Sequence, residues 1–103
     1  MKNRLEVLQQ FVEKNPADAF SRYGLAMEYA SLGRSEEALT QFRQLMESHP
    51  RYSAGYYQWA NLLIRLGRRE EARQIIEAAL DVTRRSGDSH TLSELEALLA
   101  EAG

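Results

Sequence analysis

The chain has 103 residues, 44% hydrophobic and 27% charged, which is the usual balance of a soluble globular domain. Thirteen basic and fifteen acidic side chains leave a net charge of -2, so no overall positive field attracts nucleic acid or an anionic membrane. The absence of cysteine excludes disulfides and thiolate chemistry, and no apolar run approaches the roughly 20 residues that cross a bilayer. The first residues are rich in Glu and Gln, unlike a signal peptide, so we expect a cytoplasmic protein.

Two amphipathic helices are predicted first. One lies between Lys2 and Asn15, with apolar residues at helical spacing, and ends before Pro16 because the residue preceding a proline disfavours helical geometry. The next runs roughly over Ala19–Ser31, and Asp18 offers an N-cap oxygen. This second helix carries two apolar stripes on different sides. The two stripes are Leu25, Ala26, Tyr29 and Leu32, and Phe20, Tyr23 and Met27.

Glycines mark the ends of the later helices. Gly33 closes the second helix in a left-handed conformation, and Ser35 is expected to cap the third. The third helix ends at His49-Pro50, the fourth at Gly67 and the fifth near Gly87. A sixth helix follows from about residue 89 to residue 102, and two overlapping capping boxes leave its first turn open. The alternative capping residues are Thr91 and Ser93.

One heptapeptide occurs twice, at 32–38 and at 66–72, with a single difference between the copies. Several other residues recur at the same offset of 34 positions. These pairs are Pro16 and Pro50, Tyr23 and Tyr57, and Ala26 and Ala60. Recurrence at one fixed offset of this length is the mark of a stacked-repeat protein.

The repeat resembles the tetratricopeptide repeat (TPR), which pairs two helices every ~34 residues in a Trp-x2-Leu-Gly-x2-Tyr, Ala, Phe and Pro pattern. The matching positions of the first copy are Arg22, Leu25, Ala26, Tyr29, Ala38, Phe42 and Pro50, and those of the second are Tyr56, Trp59, Ala60, Leu63, Ala72, Ile76 and Arg84. Two positions depart from the pattern. Arg22 replaces a large aromatic residue, and Arg84 replaces proline, so we expect a longer fifth helix.

The resemblance implies an all-α fold, an α-solenoid of antiparallel helix pairs with about six helices in one domain, 1–103. Two repeats would be flanked by a capping helix at each end, because open stack ends need covering for solubility. The expected segments are a cap at 1–15, repeats at 18–50 and 52–85, and a cap at 89–102.

The resemblance also implies where a partner binds, because in the family the first helix of each pair lines a concave groove. Helical spacing puts the corresponding residues of this chain on one side of the second and fourth helices, where aromatic, thioether and amide groups suit a peptide. These residues are Phe20, Tyr23, Met27, Tyr57, Gln58, Asn61 and Arg65, with Gly24 and Ser31 beside them. The expected function is a non-catalytic protein–protein interaction module that binds a peptide or helical segment of a partner. The alternative is a self-associating homo-oligomer, such as a homodimer, whose groove or terminal helices another copy covers.

Other functions are not expected. The places of the family's clamp for chaperone C-terminal tails are held by Tyr23, Met27, Gln58, Asp88 and Leu92, of which only Gln58 is similar to the family's residue. The arginines at 65, 68, 69 and 73 are interspersed with glutamates, which opposes nucleic-acid binding. The two histidines lack metal-ligand spacing, and no phosphate-binding glycine loop or activated nucleophile is present, so no cofactor, metal or catalytic residue is predicted.

Overall fold

The computed structural model describes residues 1–102; Gly103, the last residue of the predicted domain, lies outside the described residues. This part of the chain forms six helices and no strand. The helices are α1 (Arg4–Lys14), α2 (Ala19–Ser31), α3 (Ser35–Ser48), α4 (Ser53–Arg65), α5 (Arg69–Ser86) and α6 (Ser89–Ala102). The predicted number and order of the helices are confirmed.

The two heptapeptides fold into the same turn. Gly33 and Gly67 both have φ of 76°, in the left-handed region that favours glycine. In the first turn the Gly33 N–H donates to the Ala30 carbonyl at 3.1 Å, and the Arg34 N–H donates to the Tyr29 carbonyl at 2.9 Å. This pair of bonds is a Schellman motif, which satisfies carbonyls that the helix end leaves without partners. The same bonds recur in the second heptapeptide, so the predicted glycine ends are confirmed.

The starts of the helices differ from prediction in two places. Ser35 does not cap α3: the Arg34 carbonyl accepts the first helical bond, from the Ala38 N–H, so Arg34 holds the N-cap position and Ser35 is the first helical residue. The Schellman turn fixes this register because it uses the Arg34 N–H. In α6 the capping residue is Asp88, whose Oδ1 accepts from the Thr91 N–H at 3.1 Å. Neither Thr91 nor Ser93 caps the helix.

The fifth helix is longer than its counterpart in the first repeat. α5 has 18 residues and α3 has 14, although both begin at the same place in the repeat. His49 is the C-cap of α3 and precedes Pro50, whereas the equivalent Thr83 lies inside α5 with its hydroxyl donating to the Ala79 carbonyl at 3.0 Å. Arg84, unlike proline, keeps a backbone N–H and continues the helix. The predicted extension is confirmed.

The chain divides into two compact units. The first, Met1–His49, contains α1 to α3, with α2 packed against both α1 and α3. The second begins at Pro50 and contains α4 to α6, which all pack against one another. The sequence prediction of one domain with segment bounds at 15, 18, 50, 52, 85 and 89 stays a prediction.

Small residues let the helices of each pair approach closely. In the first unit Ala26 of α2 and Ala38 of α3 are fully buried, and so are the equivalent Ala60 and Ala72 in the second unit. Larger side chains fill the space beside them. The main ones are Leu25, Phe42 and Leu45 in the first unit and Leu63, Ile76 and Leu95 in the second. Leu32, predicted as the last residue of an apolar stripe, is instead 54% exposed, and its repeat equivalent Leu66 is 39% exposed. Both are C-caps beyond the last helical turn.

Arg22 packs differently from the aromatic residue that the repeat pattern expects. Its Nη1 donates to Oε1 of Gln41 and of Gln44, both at 2.7 Å, which ties α2 to α3 with polar contacts. In the second unit the equivalent of Arg22 is Tyr56, which is 8% exposed. Burial raises the pKa of the Tyr56 hydroxyl. The first helix pair therefore uses hydrogen bonds where the second uses an aromatic ring.

Candidate binding surface

The predicted partner-contact residues of the first unit lie on one face of α2. Phe20, in the first turn, is 74% exposed, and Tyr23 and Met27 are half-buried. Spacings of three and seven residues from Phe20 place all three on the same side of the helix. This side faces away from the stripe of Leu25 and Tyr29, which is buried. The largest exposed aromatic group of α2 therefore lies on the predicted contact face.

Gly24, which sequence analysis placed beside these residues, contacts α1. A Cβ added at Gly24 would lie 3.2 Å from Cδ2 of Leu8, so the two helices approach closely at this point. Two polar contacts accompany it: Gln9 Nε2 donates to the Tyr29 hydroxyl at 3.0 Å, and Arg4 Nε lies 3.7 Å from a Glu28 carboxylate oxygen. One edge of the α2 contact face therefore borders α1.

Phe11 of α1 was not predicted as a contact residue, yet it is 54% exposed. Its equivalent one repeat later, Leu45, is 0% exposed. The repeat offset could have predicted this exposure. It aligns α1 with the second helix of a pair, and the described residues contain no first helix for that pair. The predicted capping role of α1 thus leaves a large aromatic side chain in contact with solvent.

The predicted contact residues of the second unit lie on α4. Tyr57, Gln58 and Asn61 are half-buried, and Arg65 is exposed. Their spacing of one, four and eight residues from Tyr57 puts them on one side of the helix. They offer a phenol, two amides and a guanidinium, which are all hydrogen-bonding groups. That the α2 set and the α4 set form one groove stays a prediction.

The two heptapeptide turns carry the same ion pair. Arg34 Nε donates to Glu37 Oε1 at 2.7 Å, and Arg68 Nε donates to Glu71 Oε1 at 2.8 Å. Each arginine holds the pKa of its glutamate below the ordinary value, first through the side-chain hydrogen bond. The Arg34 guanidinium also lies 5.0 Å from the centre of the Tyr29 ring. These charges are paired with each other within the two turns.

The remaining charged groups are mixed in sign. Besides the Arg68 pair, Arg73 forms an ion pair with Glu70, as expected from the interspersed glutamates. His49 Nε2 lies 3.0 Å from the Ala17 carbonyl, and His90 Nε2 lies 3.3 Å from a Glu94 oxygen. Among the described residues no group of three or more His, Cys, Asp or Glu is placed to hold a metal ion. No helix in this part of the chain is long and apolar enough to cross a membrane.

Two surface clefts lie away from the predicted contact residues. One in the second unit, about 550 Å³, is lined by Pro50, Arg51, Val82, Arg85 and Ser86. Another in the first unit, about 300 Å³, is lined by Tyr29, Glu36, Glu37, Thr40 and Gln41. None of the predicted contact residues of α2 and α4 lines either cleft.

Comparison with known proteins identifies the repeat. The sequence profile described as "Tetratricopeptide repeat" matches residues 29–101. A homologue of the protein STIP1 from Dictyostelium discoideum is 31% identical over 78 residues, 76% of this chain; the chain spans 14% of that relative's length.

Solved structures agree with the sequence match. A TPR domain protein from Salinibacter ruber, 34% identical, superposes with a TM-score of 0.79 over 85% of this chain and 89% of that one. The TPR2B domain of yeast Sti1, solved in complex with an Hsp70 peptide, superposes with a TM-score of 0.87 at 19% identity over 95% of this chain and 78% of that one. At that identity the second likeness concerns the fold alone. The predicted all-α helical-repeat fold is confirmed.

Proposed function

Because the chain belongs to the tetratricopeptide repeat family, we propose that it is a protein-interaction module that binds a peptide or helical segment of a partner through the exposed faces of α2 and α4. Phe20, 74% exposed in the first turn of α2, is the observation that carries this proposal. An exposed phenylalanine ring beside half-buried Tyr23 and Met27 supplies apolar area that a partner covers on binding. The proposed role is non-catalytic.

The fold comparisons support the class of function. The yeast domain that this chain resembles in fold was solved with a peptide bound. Its partner does not transfer to this chain, because the residues at the family's chaperone-tail clamp differ and only Gln58 is similar. The α2 set has the apolar Phe20 and Met27 beside one phenol, whereas the α4 set has two amides and a guanidinium beside one phenol. This difference supports a partner segment with an apolar anchor and a polar stretch.

The proposal predicts that truncating the two faces abolishes partner binding. With partners recovered by pull-down and then purified, Met27→Ala combined with Tyr57→Ala should weaken binding by about tenfold or more, as expected for central contact residues. The half-burial of both side chains calls for a fold check by circular dichroism. A matched control is Leu66→Ala, a 39% exposed apolar residue outside both faces. Unchanged affinity in a folded double variant would show that the faces are assigned wrongly.

The second candidate function is self-association, with another copy covering the exposed apolar surface. The same exposure of Phe20 supports it, since a second copy removes that ring from water as well as a foreign peptide does. Sedimentation velocity at micromolar concentrations separates the two functions. A monomer supports the binding of a foreign segment, and a stable dimer that Phe20→Ala dissociates supports self-association.

A further inference from the structure

An uncovered apolar surface lies on α1, on the helix that the repeat pattern makes the second member of a pair. Phe11 is 54% exposed, whereas Leu45 and Ala79, the residues at the same place in the later pairs, are 0% exposed. Those two residues belong to α3 and α5, each of which packs against the first helix of its own pair. In its unit α1 packs against α2, the first helix of the following pair. Phe11 therefore faces the place that a first helix would occupy.

Helix geometry brings Phe11 and Phe20 to the same side. Leu8 of α1 touches the position of Gly24 of α2, while Arg4 contacts Glu28, so the two helices run antiparallel. Phe11 follows Leu8 by three residues, a step of about 4.5 Å along α1, and Phe20 precedes Gly24 by four residues, a step of about 6 Å along α2. Because the helices are antiparallel, both steps lead in the same direction. Both steps also stay on the same helix face. We name the surface of Leu8, Phe11, Phe20 and Gly24 the α1–α2 trough.

The charges of α1 are segregated around this trough. Arg4 and Lys14 lie seven residues before and three residues after Phe11, on its side of the helix. The Arg4 side chain is 80% exposed although its Nε lies 3.7 Å from a Glu28 oxygen. Glu6 and Glu13, seven residues apart, lie on the opposite side. An apolar surface with a base toward each end complements a segment whose apolar stripe is flanked by carboxylates.

A second copy of this chain fits the trough poorly. Its α1 would bring the same two basic residues against Arg4 and Lys14, and like charges across an interface oppose association. Its α6 already buries its apolar residues Leu95 and Leu98 within its own unit. The side chains that α6 leaves exposed are polar or small, and they include His90, Ser93, Glu96 and Ala97. A helix with that face does not cover a phenylalanine-lined trough well.

We propose that the α1–α2 trough binds an amphipathic helix of a partner protein, with acidic residues beside its apolar stripe and with Phe11 and Phe20 as the anchoring side chains. This proposal rests on the proposed function and specifies one of its contact sites and the chemistry of the partner. The helix takes the place that a first helix would occupy beside α1. α1 is then part of the binding surface, not a cap.

The test uses three synthetic peptides of about four helical turns. The first has leucines at helical spacing with glutamates between them, the second has lysines in place of the glutamates, and the third is a scramble of the first. By isothermal titration the acidic peptide should bind about tenfold or more tightly than the other two. Phe11→Ala should weaken its binding by about tenfold or more, whereas Leu32→Ala, which removes a side chain of equal 54% exposure, leaves it unchanged. Lys14→Glu should reduce the preference for the acidic peptide.

Equal binding of the acidic and basic peptides, no binding of the acidic one, or equal effects of Phe11→Ala and Leu32→Ala would overturn the proposal. Circular dichroism confirms that the variants are folded. A dimer in sedimentation velocity that Phe11→Ala dissociates would also overturn it, because another copy would then cover the trough. If pulled-down partners lose affinity for the Met27→Ala and Tyr57→Ala variant but not for Phe11→Ala, the proposed function stands and the trough is assigned wrongly.

Discussion

At the scale of single residues, positions in the core and positions on the contact faces differ in how they change between the repeats. The alanines shared at the point where paired helices pack, Ala26 and Ala60, are fully buried. On the contact faces Tyr23 recurs as Tyr57, but Met27 is replaced by Asn61 and Ser31 by Arg65. Close packing tolerates little change of volume, whereas a surface position meets that constraint only when a partner is bound. We therefore expect a partner to be recognised at positions that differ between the copies.

Gly67 allows a test of the turn at this scale. A Cβ added there meets no atom within 4 Å, so replacement causes no clash and the effect is confined to the backbone. With φ at 76°, Gly67→Ala should lower the free energy of unfolding by about 1–2 kcal/mol. Gly67→Asn should cost less, since asparagine adopts this conformation more readily. Urea unfolding with an unchanged m-value measures both; an alanine variant as stable as the parent would contradict the prediction.

At the scale of helices, sequence analysis predicted the ends of the elements better than their starts. Gly33 and Gly67 adopt a left-handed conformation that other residues avoid, so a glycine directly after the last apolar residue of a helical pattern marks the end of the helix. A start depends on which carbonyl accepts the first helical bond, and several residues near Ser35 or Thr91 could supply a cap. The backbone hydrogen bonds of the preceding turn determine which residue becomes the N-cap. These bonds cannot be inferred from the residue types alone.

The length of α5 gives the prediction at this scale. Arg84→Pro would restore the residue that ends α3 at Pro50, remove a helical N–H and clash with the preceding turn, at a cost of about 3 kcal/mol. We expect α5 to end near Val82, four residues earlier than Ser86, as α3 does one repeat before. Far-UV circular dichroism should show a reduced helix content. Unfolding in guanidinium should show a reduced free energy of unfolding. Arg84→Ala is the control, and a proline variant with full helicity would show that Arg84 does not determine the length.

At the scale of the whole molecule, the repeat predicted the fold. The family pattern also indicated the face of α2 that carries the exposed Phe20. That this face contacts a partner stays a prediction. The family pattern missed Phe11, because the exposed fraction of a side chain depends on which helices pack around it and not on the residue type. It also gave no sign that Gly24 lies against Leu8 of α1. The cytoplasmic location stays a prediction.

The stability of the whole chain should decrease at low pH. Four carboxyl groups have pKa values below their ordinary ones: Asp18 bonded to Ser21, Asp88 to Thr91, Glu37 to Arg34 and Glu71 to Arg68. A lowered pKa stabilises the folded state fully above the unfolded-state values, about 4, and this contribution is lost as the pH falls through the lower folded-state values.

The thermal midpoint should therefore change little between about pH 7 and pH 5 from these groups and fall below about pH 4. A pH series by circular dichroism measures it. Replacing Glu37 and Glu71 with glutamine should make the decrease shallower, because two of the four groups no longer titrate. A midpoint that rises as the pH falls from 5 to 3 would contradict the assignment.

The identical turns at Gly33 and Gly67 also suit the chain to gaining or losing repeats by changes in its gene. An in-frame deletion of residues 34–67 joins Gly33 directly to Arg68, which is the junction that already follows Gly67. A duplication of the same stretch likewise creates no new turn. Unequal recombination between the two coding copies therefore adds or removes one helix pair without disturbing the backbone at the seam. The same seam is a natural place to graft pairs from other members of the family.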